Sequence, residues 1–359
     1  MAFCKKCLIP DNYPAANIDA AKTCQFCRDY EKIDFVKLEQ ERQAREKDLV
    51  HALRNCRGRG RYDCIVMLSG GKDSAYLLYK IKVEYGLRVL AFTCDAGGYT
   101  GEIALRNLKN TVSKLSVDHI MYTPSLSFYK KLFVFLLKNQ IETGAVKTVC
   151  YVCYPLSQGY ALDFAVTHDI PLILEGCAPG QPDPEIMEYE VPPKHIQEES
   201  WLPKAIKESG IFSPEELAYF WDPTRYPKDT QFPRILMPFH AWEYNQSEVM
   251  KKVVDSGLIT RKKFASPVYS NCLLNWVMMY SDLKNFGYNP YLFEFAKLIR
   301  EGKADKKRWF IMDKILTFML RHKFLLGRHI PFLLKELGIK PEDLCIGSIN
   351  AGDITSHHK

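Results

Sequence analysis

The sequence contains no stretch approaching the roughly 18 consecutive apolar residues that a membrane-spanning helix needs, so no membrane insertion is expected. Its opening, Met1-Ala2-Phe3-Cys4-Lys5-Lys6-Cys7, sets no apolar run behind its positive charges. A signal peptide is therefore not expected, and a cytoplasmic location is. No internal repeat is found, and no G-x-x-x-x-G-K-[ST] loop. A strong excess of one charge sign is lacking: 49 Lys and Arg against 42 Asp and Glu leave a net +7. That balance is compatible with a nucleotide, RNA or a sugar phosphate as partner but selects none of them.

Cysteine, by contrast, is plentiful, with twelve in 359 residues. In a reducing compartment, paired cysteines read as metal ligands or catalytic thiols before they read as disulfides. The remaining composition, 47% hydrophobic and 25% charged, is that of a globular protein with two or three structural units.

Cys4-x-x-Cys7 and Cys24-x-x-Cys27, sixteen residues apart, define a small unit over residues 1–30. Four thiolates spaced in two pairs suit a closed, tetrahedral structural Zn²⁺ site of the ribbon or knuckle type. Residues 34–54 lack Gly and Pro and read as an exposed helix within a linker, 31–60. From 61 to 275, short apolar segments alternate with helical ones. Strands are expected at Asp63–Leu68, Arg88–Cys94, His119–Tyr122 and Ile170–Leu174. Helices are expected at Ala75–Tyr85, Glu102–Leu115, Phe128–Gln140 and Leu156–His168. That alternation predicts an α/β fold, a doubly wound parallel sheet with helices on both faces. A proline-rich insertion at about 179–235 reads as a lid or a surface excursion. Residues 276–359 read as a helical C-terminal region ending in a polar tail.

Ser69-Gly70-Gly71-Lys72-Asp73-Ser74 sits between an expected strand and an expected helix. Gly70 and Gly71 permit positive φ and close backbone approach. Successive N–H groups and the helix N-terminus then favour an anion. Lys72 adds a point charge, Ser69 and Ser74 add hydroxyls, and Asp73 is a hard oxygen ligand for Mg²⁺.

This hexapeptide resembles the loop of the PP-loop ATP pyrophosphatase superfamily. The resemblance implies that ATP is cut between its α and β phosphates after a substrate oxygen attacks the α-phosphate. It further implies that Met67, Leu68 and the loop hold the phosphates, and that the strand end at Thr93 and Cys94 lies beside adenosine. Gly176, in Glu175-Gly176-Cys177, would line the nucleotide. The Gly-His-Asn-x-x-Asp-Asp stretch of several tRNA-modifying members is missing.

Cys150-x-x-Cys153 with the distant Cys272 is similar to the iron–sulfur-dependent tRNA 2-thiolation enzymes, which implies a [4Fe-4S] cluster on three cysteines and a sulfur donor. A packed thiol pair with an unrelated Cys272 is the alternative. Cys56, Cys64, Cys94, Cys177 and Cys345 read as small buried hydrophobes, with Cys94 and Cys177 bordering the nucleotide site.

A second resemblance, to N-acetyl sugar amidotransferases of surface-polysaccharide synthesis, runs over about two thirds of the chain. It rests on Cys4-Lys5-Lys6-Cys7-Leu8-Ile9-Pro10-Asp11-Asn12-Tyr13-Pro14, Cys24-x-x-Cys27-Arg28, Tyr62–Val66, Val117-Asp118-His119, the pair at 150–153 and His240-Ala241-Trp242-Glu243-Tyr244-Asn245. It implies ammonia from a partner glutaminase, because no glutaminase domain is visible. The expected chemistry is adenylation of a carbonyl oxygen, followed by displacement of AMP by sulfur or by ammonia. The expected substrate is a small molecule or RNA, and a homodimer is compatible with either reading. A zinc-bearing RNA-binding protein with a degenerate nucleotide site is the non-enzymatic alternative.

Overall fold

The computed structural model describes residues 2–58, 60–179, 189–265 and 271–355. Arg59, Pro182, Pro184, Ser270 and the polar tail at 356–359 lie outside them. Among the described residues, five parallel strands form one sheet: β1 (Cys64–Met67), β2 (Val89–Cys94), β3 (Asp118–Tyr122), β4 (Leu172–Glu175) and β5 (Arg234–Leu236). Their order is β3-β2-β1-β4-β5. Met67 of β1 pairs with Phe92 on one side and Glu175 on the other, so these three strand ends lie level.

The central strands β1, β2 and β4 are mostly apolar because both faces are covered, whereas the edge strand β3 is polar and partly exposed. Ile65, Leu90, Phe92, Ile173 and Ile235 face one core. Their neighbours Cys64, Val66, Val89, Ala91, Leu172, Leu174 and Leu236 face the other. Asp63, just before β1, is buried and accepts from the Arg88 N–H (2.8 Å) and guanidinium (2.5 Å). The starts of β1 and β2 are thereby pinned together.

The chain begins with α1 (Gln25–Tyr30) in the four-cysteine unit and α2 (Phe35–Asn55), which is mostly exposed and buries only Leu49, Ala52 and Leu53. The sheet helices are α3 (Lys72–Tyr79), α4 (Glu102–Leu115), α5 (Leu126–Lys138) and α6 (Ala145–Thr167). Short helices α7 (Pro193–Glu198), α8 (Lys204–Glu208) and α9 (Pro214–Leu217) occupy the proline-rich segment, where Trp201 and Trp221 are fully buried. The C-terminal part holds α10 (Gln246–Asp255), α11 (Asn275–Phe286), α12 (Leu292–Arg300), α13 (Lys306–Arg321), α14 (His329–Leu337) and α15 (Ala351–Ile354). No helix among the described residues is long and apolar enough to cross a membrane.

The largest departure from the sequence reading is α6. Pro155 argues for a helix beginning after it, yet the helix starts ten residues earlier, at Ala145, with Pro155 inside. A buried carboxylate from another element stabilises the extension. Asp282 of α11 accepts from the Ala145 N–H at 2.5 Å and the Val146 N–H at 3.1 Å, capping donors that a helix cannot satisfy internally. Gly144 has φ +101° and a Cβ there would lie 2.4 Å from Asp282 Oδ1, so only glycine admits this cap. Cys150 and Cys153 consequently sit on a helix. A second departure is Cys345, expected buried but exposed.

Candidate functional site

The sheet order reverses direction between β1 and β4. In open α/β sheets the ligand crevice lies outside the carboxyl ends of the strands at that switch point. Ser69–Ser74 follows β1, and Glu175-Gly176-Cys177 ends β4, so both expected segments meet there.

Gly70 has φ +80°, and a Cβ on it would lie 2.5 Å from the Ala104 carbonyl oxygen of α4. A side chain is therefore excluded twice, by torsion and by space. Asn107 donates to the Gly70 carbonyl at 2.9 Å and holds the turn from the α4 side. Gly71 caps α3, leaving the first-turn N–H groups of Lys72, Asp73 and Ser74 without intrahelical partners, as at any helix start. The hydroxyls of Ser69 and Ser74 meet at 3.2 Å, and Asn271 donates to Ser69 Oγ at 3.2 Å. Gly176 abuts the first turn of α3: a Cβ would lie 2.9 Å from Ser74 Cα. Its position is one of close packing beneath the loop.

Lys72 and Asp73 are buried and paired, with Lys72 Nζ donating to Asp73 Oδ2 at 2.6 Å. Tyr244 donates to Asp73 Oδ1 at 2.7 Å. Glu294 of α12 lies within electrostatic reach of both Lys72 and Asp73. Burial holds its carboxyl up at about 7, against the pull of Lys72. Tyr244 stands in the His240–Asn245 stretch quoted from sequence and Asn271 stands beside Cys272, but neither carried a role there. Asn107, Glu175 and Glu294 gave no sequence signal, because each acts from an element distant in the chain.

Thr93 is buried, and its hydroxyl donates to the Leu68 carbonyl at 2.6 Å and lies 2.8 Å from His119 Nε2. It ties together the ends of β1, β2 and β3. Burial pushes the His119 ring below its ordinary value, favouring the neutral form. Leu68 also bonds through its N–H to Phe92, so its backbone is committed to the sheet.

Glu175 is buried at the level of Met67. Gln158 donates to its Oε2 at 3.2 Å, and so does the Tyr154 hydroxyl, which also lies 3.1 Å from Cys177 Sγ. Glu175 Oε1 and Gln158 Oε1 are buried without a hydrogen-bond partner. Burial raises the Glu175 carboxyl to about 7.

Cys150 and Cys153 lie one turn apart on α6. Cys272 forms an antiparallel bridge with Thr100, just beyond β2, while Gly101 N–H donates to Asn271 at 2.8 Å. All three thiols are half-buried. Burial raises each thiol's pKa, and Cys272 adds to the rise at Cys150, to about 12, and at Cys153. Cys94 also acts on Cys153, and burial lifts Cys94 itself to about 11.

The four N-terminal thiols form a separate centre. All are buried, and their sulfurs lie within 4.8 Å of one another. Burial pushes Cys4 up but backbone N–H groups from Cys24, Cys7 and Lys6 outweigh it, leaving it at about 7; burial drives Cys7 to about 12. Four thiols this close repel one another as thiolates, so a divalent cation resolves the cluster. This is a four-cysteine metal site. Among the described residues, Cys150, Cys153 and Cys272 do not form a set that tight.

Asp282, Glu175 and Glu294 each have carboxyls raised to about 7 by burial. Between about pH 4.5 and 7 the folded chain therefore holds protons that the unfolded chain has released. Stability attributable to them falls as pH rises through that window. The urea midpoint should drop from pH 5.5 to 7.5, and Glu175→Gln should flatten the slope.

Fold and site together define a doubly wound α/β protein with a glycine loop and helix N-terminus at its switch point, carrying a four-cysteine metal site. No family model and no curated protein matches the chain. Among solved structures it is similar to the NMN synthetase from Francisella tularensis, at 12% identity over 80% of this chain and 95% of that one, TM-score 0.39. It is also similar to the U34-tRNA thiolase NcsA from Methanococcus maripaludis with its [4Fe-4S] cluster, at 13% identity over 100% and 97%, TM-score 0.34. A third is the NH3-dependent NAD synthetase from Campylobacter jejuni subsp. jejuni NCTC 11168 in complex with the nitrate ion, at 12% identity over 86% and 98%, TM-score 0.35.

Proposed function

We propose that this chain is a PP-loop ATP pyrophosphatase that adenylates a substrate carbonyl oxygen, releases pyrophosphate, and replaces the oxygen with sulfur. The observation that carries the reading is the Ser69–Ser74 turn. It is a left-handed glycine locked against α4, opening the first-turn N–H groups of α3 at the sheet's switch point. The loop amides and Lys72 bind the phosphates, and the Ser69 and Ser74 hydroxyls orient them. Lys72 leaves Asp73 to do so. Each Asp73 oxygen keeps a second lone pair, which fits a Mg²⁺ ion bridging to phosphate. The carbonyl oxygen attacks the α-phosphorus as the α–β bond breaks. The nucleophile then adds at the carbonyl carbon, and AMP departs with the oxygen.

Zn²⁺ fits Cys4, Cys7, Cys24 and Cys27, which leave no open coordination position and therefore hold structure. A [4Fe-4S] cluster suits Cys150, Cys153 and Cys272 by the chemistry of the donors: three soft thiol ligands, each partly exposed. When bound, such a cluster with one iron free supplies a place to carry sulfur. The chain's own contribution is to hold three thiols on a capped helix and a strand-like bridge next to the phosphate loop. The substrate class is a nucleobase, in RNA or free, or another small carbonyl compound.

A second reading is amidation of an N-acetylated sugar nucleotide, with ammonia from a partner glutaminase. Glu175 Oε1 and Gln158 Oε1 favour it, because two buried acceptors without donors suit an incoming N–H group. Incubation with ATP, Mg²⁺ and candidate carbonyl compounds tests the shared step. AMP and pyrophosphate are the expected products; ADP and phosphate would remove both readings.

A further inference from the structure

Helix α13 runs for sixteen residues and buries only Leu320. Successive residues advance about 100° around a helix axis, which sets Phe318 roughly opposite Leu320. Ile311, Ile315 and Phe318 stand at i, i+4 and i+7 and therefore share that outward face. They are 57%, 44% and 56% exposed. The turn after the helix adds Phe324 and Leu325, 56% and 54% exposed. Phe310 lies to one side of the stripe, where Phe3 meets its ring edge-on at 6.4 Å.

Cations border this stripe. By helical period, Lys307, Lys314 and Arg321 run along one side of it and Arg308 lies on the other. All four are exposed. Between Lys306 and Lys335, Asp313 is the one acidic residue. It is half-buried, turned away from the stripe by the same period, and accepts from Asn289 at 3.2 Å. The outward face of α13 is thus an apolar centre with a basic rim and no carboxylate of its own.

That charge pattern selects what can cover the face. A second copy docked on the same patch would set cations against cations. RNA would satisfy the cations but leave Ile311 and Ile315 unmatched, because bases offer stacking surfaces to aromatic rings. An anionic bilayer meets both requirements at once. The acyl boundary takes the apolar stripe, and headgroup phosphates take Lys and Arg on their long stems. We propose that this face of α13 seats the chain on an anionic lipid surface. Ile311, Ile315 and Phe318 enter the acyl boundary, and Lys307, Arg308, Lys314 and Arg321 meet the headgroups. The attachment is peripheral, since no helix among the described residues is long and apolar enough to cross a membrane. It stands apart from the chemistry assigned to the loop.

The test sediments the full chain with vesicles of phosphatidylcholine alone and of phosphatidylcholine mixed with phosphatidylglycerol. Binding should require the anionic lipid and weaken as salt is raised. Lys307→Gln and Arg321→Gln should each lower partitioning about fivefold. Ile311→Ser/Phe318→Ser should lower it by about tenfold or more. These side chains are exposed, so the urea midpoint should stay where it is, which separates lost binding from lost folding. Should the serine variant lose stability, the lipid requirement and the two charge variants decide. Failure to bind either vesicle, equal binding to both, or undiminished binding by the variants overturns the proposal. Two other results also overturn it. A wild-type dimer in light scattering that Phe318→Ser makes monomeric, with no vesicle binding, assigns the face to a second copy. RNA binding lost in Lys307→Gln/Arg321→Gln and kept in Ile311→Ser/Phe318→Ser, again without vesicle binding, assigns it to nucleic acid.

Discussion

Lys72→Ala is expected to lower AMP and pyrophosphate formation by about 10²–10³, the usual cost of deleting one preorganised donor aimed at developing charge. The loss should fall mainly on kcat, because the loop amides and hydroxyls still bind ground-state phosphates. Lys72 is also the partner of a buried carboxylate, Asp73, which keeps only Tyr244 in the variant. Stability should therefore fall by about 1–3 kcal/mol, the cost of leaving a buried polar group short of a partner. Lys72→Ala/Asp73→Asn should recover much of that stability and none of the rate. A variant that turns over ATP at the wild-type rate would show that the buried lysine serves packing and not phosphate.

Cys272→Ala should separate the two halves of the reaction. Its backbone bridge to Thr100 and the neighbouring bonds of Asn271 do not involve the thiol. The loop should survive, and with it formation of AMP and pyrophosphate, because the Asn271 bond to Ser69 that supports the loop is kept. Thiolated product should disappear. Anaerobically purified wild type should be brown, absorbing at about 400 nm as iron–sulfur thiolate centres do, and the variant should be bleached. A colourless wild type that is fully active alongside a glutaminase would instead establish the amidation reading, with Glu175 and Gln158 as the next positions to change.

The contrast between these two variants follows from where the residues sit. Lys72 begins the helix that opens at the sheet's switch point. Cys272 is on a segment that only borders it. A single lesion that abolished both adenylation and sulfur transfer at Cys272 would mean that the segment 271–273 supports the loop itself, through the Asn271 bond to Ser69.

Much of the scaffold was legible because its signals are local. Short apolar runs separated by amphipathic segments can only be satisfied by a sheet covered on both faces, and α4 falls at the residues its periodicity indicated. The turn at 69–74 was legible because left-handed torsion at Gly70 and a lysine at a helix start are chain-local requirements. The paired cysteines at 4–7 and 24–27 were legible because a tetrahedral site needs close pairs, and each pair is closed by a few residues. The start of α6 was not legible, because its cap is Asp282, more than a hundred residues away, and a proline inside the helix argues against it. The roles of Tyr244, Glu294 and Glu175 were hidden for the same reason: each depends on which neighbour the fold supplies.

By itself, then, the chain specified four of the five strands among the described residues, its glycine loop and its four-cysteine ligand spacing, since backbone torsion, side-chain period and ligand spacing are properties of neighbouring residues. It did not specify β5, whose three residues Arg234–Leu236 are too short a signal at the end of a proline-rich segment. Tertiary structure alone decided that Met67, Phe92 and Glu175 end at one level. It also decided that Cys272 bridges to Thr100 just beyond β2, and that α12 packs Phe293 against Tyr13 and Phe26 of the four-cysteine unit. Those arrangements come from burying two faces of one sheet and one face of each helix at the same time, a condition that no local stretch of sequence can express.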